Sequence, residues 1–151
     1  MIYSSDIKYK FNNCRTEFKE TIDRLLDCGE YVLGSTLKKF ELNVAKYLNV
    51  KYTIGVGTGT AALELGIRSL NLSPGSEVIT SPMSYLASTS AIYLAGLKPV
   101  FSDIDDSLNL CPVSLENKIN EKTTAILVVH LGGVPAQIKS LLKIAKKYNL
   151  K

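Results

Sequence analysis

The chain has 151 residues, 46% hydrophobic and 21% charged, with a formal net charge of +4, the profile of one folded domain rather than of a disordered or collagen-like chain. The closing lysines, Lys139, Lys143, Lys146, Lys147 and Lys151, read as the solvated face of an amphipathic helix and not as a nucleic-acid patch. Cys14, Cys28 and Cys111 are widely spaced and accompanied by a single histidine, which excludes a zinc site; a reducing cytoplasm is expected, and no apolar stretch approaches the roughly 18 residues of a membrane span.

The opening, M-I-Y-S-S-D-I-K-Y-K, lacks the apolar centre of a signal peptide. Apolar spacing predicts one amphipathic helix from Thr16 to Cys28, with Phe18, Ile22, Leu25 and Leu26 on one face and Gly29 ending it. A second helix is predicted from an N-cap at Ser35 to Leu48, with Leu37, Phe40, Val44 and Leu48 inward.

Beyond this the pattern changes. Short apolar or β-branched runs at Tyr52–Val56, Glu77–Thr80, Pro99–Phe101 and Thr124–Val129 alternate with helical patterns at Thr60–Leu70, Ser84–Ala95, Val113–Asn120 and Ala136–Tyr148. That order predicts an α/β fold, a mostly parallel sheet covered by helices in three layers. The expected division is a helical segment over 1–50 followed by the α/β part over 51–151. The sequence closes on Leu150-Lys151, read as the approach to a further strand, so the α/β domain is expected to be incomplete.

The most informative stretch is T-I-G-V-G-T-G-T-A-A, Thr53 to Ala62. Glycines before a helix allow close backbone approach, and the unpaired N–H groups of a first helical turn make an anion site. A phosphate site and a plain tight turn both satisfy these letters. Gly57 to Ala62 also spells a dinucleotide fingerprint, which would make this a nicotinamide-binding oxidoreductase domain. That fingerprint needs an acid at the far end of the next strand, whereas Glu77 begins its strand.

The order G-T-G-T-A-A-L, P-G-S-E-V-I-T-S-P-M-S-Y-L-A-S, K-P-V-F-S-D-I-D and V-V-H-L-G-G-V-P-A, preceded by G-E-Y-V-L-G at Gly29 to Gly34, closely resembles the DegT/DnrJ/StrS-type nucleotide-sugar aminotransferases over about Asn12 to Lys151. The resemblance implies the large domain of the fold type I architecture, pyridoxal 5'-phosphate as cofactor, a homodimer, and transfer of an amino group from glutamate to a nucleotide-linked keto sugar. It implies that Gly59, Thr60 and Ala61 hold the cofactor phosphate and that Tyr85 stacks on its ring. Gly34 matches a position beside the sugar-binding region. His130, the only histidine, stands at the end of the fourth expected strand, on the carboxyl edge where open α/β sheets bind ligands, and is assigned to the substrate side.

Asp103, Asp105 and Asp106 are read as a strand-end turn rather than a cation site. The family's Schiff-base lysine and pyridine-nitrogen acid match no position here, so no catalytic residue is assigned, and the 151 residues alone are expected to be inactive. A dehydratase of the same family and a non-catalytic fragment stay open alongside the aminotransferase.

Overall fold

The computed structural model describes residues 6–151; Met1–Ser5, half of the segment read above as lacking a signal-peptide centre, lies outside them. The chain forms two compact units, Met1–Gly55 and Val56–Lys151.

The first unit holds α1 (Ile7–Cys28) and α2 (Ser35–Leu48). Helix α1 begins nine residues before the expected Thr16, because Asp6 caps it by accepting the Tyr9 N–H at 2.8 Å. It ends as expected at Gly29, whose φ of +67° lets its N–H reach the Leu25 carbonyl. The observed N-cap of α2 is Gly34, one residue before the expected Ser35. Only Ala45 of α2 is buried; Leu37 and Val44 are half-buried, while Phe40 and Leu48, expected inward, are exposed, as are Phe18, Ile22 and Leu26 of α1. Two helices give each other few facing side chains to cover.

The expected strand Tyr52–Val56 has no ladder partner among the described residues. Up to Gly55 the segment is tied to α2 instead: Thr53 Oγ1 donates to the Glu41 carbonyl at 2.5 Å and the Gly55 N–H donates to Glu41 Oε1 at 2.7 Å.

The second unit is a three-layer α/β/α sandwich. Its strands β1 (Glu77–Thr80), β2 (Lys98–Phe101) and β3 (Thr123–Leu127) are all parallel, in the order β2-β1-β3. Helices α3 (Gly59–Ser69) and α4 (Ala87–Leu94) cover one face, α5 (Pro112–Lys118) and α6 (Ile138–Lys147) the other. The strand alternation sorts the two cores. Val78, Ala125 and Leu127 pack with Ile67, Ala91, Ile92 and Leu97, whereas Ile79, Val100, Ile126 and Val128 pack with Leu110, Leu115, Leu141 and Ile144.

The change of face follows from topology. The path from β1 through α4 to β2 runs one way along the sheet, and the path from β2 through α5 to β3 crosses back past β1, so crossovers of a single hand put the two helices on opposite faces. On the outer edge of β3, the Lys151 N–H donates to the Thr124 carbonyl at 3.0 Å and the Lys151 carbonyl accepts the Ile126 N–H at 2.9 Å. Lys151 is thus hydrogen-bonded along that edge.

Candidate functional site

The glycine run enters α3 through Thr58, an extended N-cap whose Oγ1 accepts the Ala61 N–H at 3.1 Å while its carbonyl accepts the Ala62 N–H at 3.0 Å. This divides the expected phosphate cradle. The N–H groups of Gly59 and Thr60 have no hydrogen-bond partner among the described residues, whereas that of Ala61 is engaged by the cap. Gly59 faces open space: a Cβ built on it would meet nothing within 4 Å.

Tyr85 lies in the turn between β1 and α4, beyond the carboxyl end of β1, where open α/β sheets bind ligands. Helix α4 starts at Ala87 rather than the expected Ser84, because Ser84 Oγ turns to Ser88 Oγ at 2.7 Å and the Ser88 N–H donates to the Tyr85 carbonyl at 3.0 Å. The turn leaves Tyr85 81% exposed. Gly59, Thr60, Ala62, Leu63, Tyr85 and Ala87 line one open concavity of about 570 Å³. Two unpaired backbone donors at the positive end of a helix, beside an exposed phenol ring, fit a phosphate carried on a flat ring.

The other expected residues are placed differently. Strand β3 ends at Leu127, two residues short of the expected Val129, so His130 lies three residues past it and caps a short 3₁₀ turn at Leu131–Gly133. Its ring Nδ1 accepts the Ala136 N–H at 3.0 Å. Gly34 belongs to the first unit, where a Cβ would come within 2.9 Å of the Glu30 Cβ and 3.0 Å of the Glu30 carbonyl oxygen. The turn before α2 therefore needs glycine for close backbone approach, whatever else Gly34 does.

Glu77 sits at the amino end of β1, away from the carboxyl edge, with its carboxylate accepting from Asn120 Nδ2 at 2.8 Å and Lys98 Nζ at 3.1 Å. These bonds, Asn120 first, hold its pKa below the usual glutamate value. It cannot serve as the ribose acid of a dinucleotide fingerprint, and among the described residues no strand precedes the glycines as that motif requires. Asp105 is a turn residue: its carboxylate accepts from the Ser107 N–H at 2.9 Å, the Ser107 hydroxyl at 2.5 Å and Gln137 Nε2 at 2.9 Å, and these bonds lower its pKa.

Sequence reasoning passed over Asn109, which is 1% exposed and bonded to both ends of the 131–134 loop. In the sequence it is one more polar letter in a turn; only its burial distinguishes it.

The family model for the DegT/DnrJ/EryC1/StrS aminotransferase family matches residues 12–151. The chain is 40% identical over its full length to the dTDP-3-amino-3,6-dideoxy-alpha-D-galactopyranose transaminase of Aneurinibacillus thermoaerophilus, covering 42% of that protein. Among solved structures, S. venezuelae DesV in complex with a ketimine intermediate superposes with a TM-score of 0.92 at 37% identity, over 96% of this chain and 39% of that one. NtdA from Bacillus subtilis with bound cofactor PMP superposes with a TM-score of 0.90 at 32% identity, over 93% and 32%. The chain thus spans about two fifths of the length of the curated relatives it matches, corresponding to their N-terminal part. A matching family model over nearly the whole chain, joined to a shared three-layer fold, makes the protein a member of the DegT/DnrJ/EryC1/StrS aminotransferase family.

Proposed function

We propose that this chain provides the phosphate-anchoring and ring-stacking part of a pyridoxal 5'-phosphate-dependent aminotransferase that acts on a nucleotide-linked keto sugar, with glutamate as amino donor, as a cytoplasmic homodimer. The observation that carries the reading is the concavity shared by the free Gly59 and Thr60 N–H groups and the exposed Tyr85 ring. Among the described residues no helix is long and apolar enough to cross a membrane, which is compatible with that location.

When bound, the cofactor supplies an electron sink for moving an amino group. The chain's own residues anchor and orient. Gly59 and Thr60 donate backbone N–H groups to the phosphate at the positive end of α3. Ala61 joins them only by giving up its bond to Thr58 Oγ1. Tyr85 offers an aromatic face, worth about 0.5–1.5 kcal/mol beyond area burial. His130 and Gly34 are assigned to the sugar side.

Titration with pyridoxamine 5'-phosphate, which has no aldehyde to react with surface lysines, tests the reading. The amide resonances of Gly59 and Thr60 shift saturably, and NAD leaves them unchanged. A response to NAD with none to pyridoxamine phosphate overturns the proposal, as does silence to both.

A further inference from the structure

The loop that carries His130 beyond β3 is held by one buried side chain. Asn109 Nδ2 donates to the Val134 carbonyl at 3.1 Å and to Ser107 Oγ at 3.1 Å, and Asn109 Oδ1 accepts the Leu131 N–H at 2.9 Å. One amide group thus bridges the two ends of the 131–134 turn to the turn that follows β2. Within the bridged loop Gly132 and Gly133 adopt φ of +60° and +81°, so the backbone is free to take several conformations unless something outside it selects one. Gln137 Nε2, donating to Asp105 Oδ2, ties the far end of the same loop to the same turn.

The consequence reaches His130. The Ala136 N–H can donate to Nδ1 only if that nitrogen carries a lone pair, which puts the proton of the neutral ring on Nε2. Ring orientation depends on where Ala136 lies relative to residue 130, and that separation is set by the loop Asn109 clamps.

We propose that Asn109 is a positioning residue: it fixes the loop after β3 so that His130 is held in one rotamer, with Nε2–H as a preset hydrogen-bond donor at the carboxyl edge of the sheet. The donor suits an anionic or carbonyl oxygen of a ligand at that edge. This last step rests on the nucleotide-sugar reading above.

The test is NMR on the 151-residue chain and its Asn109→Ala variant, with dTDP-glucose and pyridoxamine 5'-phosphate as probes. In the unaltered chain His130 shows a single side-chain rotamer, and the Leu131 and Ala136 amides exchange as one unit. In Asn109→Ala both amides exchange about tenfold faster or more, as loss of a buried hydrogen bond implies, His130 averages over rotamers, and the amides of Ile79 and Leu115 keep their rates. Affinity for dTDP-glucose falls about tenfold while that for pyridoxamine phosphate stays within about twofold.

A single His130 rotamer retained in Asn109→Ala overturns the proposal. Equal loss of both affinities reduces Asn109 to a structural residue and overturns it too. If Asn109→Ala does not fold, exchange in the unaltered chain decides: Leu131 and Ala136 opening in separate events, about tenfold or more apart, sinks the idea. Should the unaltered chain ignore dTDP-glucose, the nucleotide-sugar reading fails, and the rotamer and exchange data still decide whether Asn109 positions His130.

Discussion

Thr58 Oγ1 accepts the Ala61 N–H at 3.1 Å, so the entrance to α3 presents two unpaired backbone donors, those of Gly59 and Thr60, rather than three. Removing the hydroxyl separates the structural use of this helix end from its use as an anion site. Thr58→Ala costs about 1 kcal/mol, the usual worth of an N-cap. In a unit of about 100 residues that lowers the melting temperature by about 4–8 °C, measurable by calorimetry. The Ala61 N–H is freed at the same time. Affinity for pyridoxamine 5'-phosphate is therefore expected to hold or rise in spite of the lost stability; a parallel fall of both contradicts the division of labour described here.

Tyr85 offers the opposite case. The residue is 81% exposed, so Tyr85→Ala changes stability by no more than about 0.5 kcal/mol. The same substitution removes the stacking face and weakens pyridoxamine phosphate binding about two- to tenfold. Tyr85→Phe keeps the face and the affinity. Isothermal titration of the three proteins checks the order.

Glu77 governs an acid-sensitive contribution to stability. Its pKa in the folded chain is lowered by the bonds from Asn120 and Lys98, so the folded state favours the carboxylate. That contribution is fully present above the ordinary glutamate value of about 4.3 and is lost as pH falls through the lower native value. Glu77→Gln, which cannot ionise, is less stable than the unaltered chain at pH 7. The gap narrows as pH falls below about 4.3 and through the lower native value, because the protonated acid and the amide then make similar contacts. Urea unfolding at several pH values measures it; a gap independent of pH contradicts the assignment.

Gly133 has φ of +81° with open space around the missing Cβ. Gly133→Ala therefore meets no clash, and its cost is conformational, about 1–2 kcal/mol for forcing an L-residue into the left-handed region. Chemical denaturation reads the loss. Faster exchange of the Ala136 amide accompanies it if the loop and the His130 contact respond together.

The α/β class was legible because apolar runs at Glu77, Pro99 and Thr124 each carry β-branched residues and are separated by helical spacing, a local pattern that burial between two helical layers enforces. Tyr52–Val56 has the same look and is no strand. A strand exists only where a neighbour supplies the ladder, and at Thr53 and Gly55 the partner is Glu41 on a helix. Likewise the pattern at Phe40 and Leu48 marks an apolar face of α2 without revealing that this chain leaves those residues exposed.

For the site, the sequence by itself determined the glycine turn into a helix, the aromatic residue in the next β-α connection and the order of motifs, because each depends on backbone freedom or side-chain type at fixed spacing. Tertiary structure alone decided that Glu77 pairs with Asn120 and Lys98 and that Asn109 holds the His130 loop. Each of these depends on which polar group lies within hydrogen-bond distance of which other. That distance is set when strands far apart in sequence come together, and no single stretch of residues encodes it.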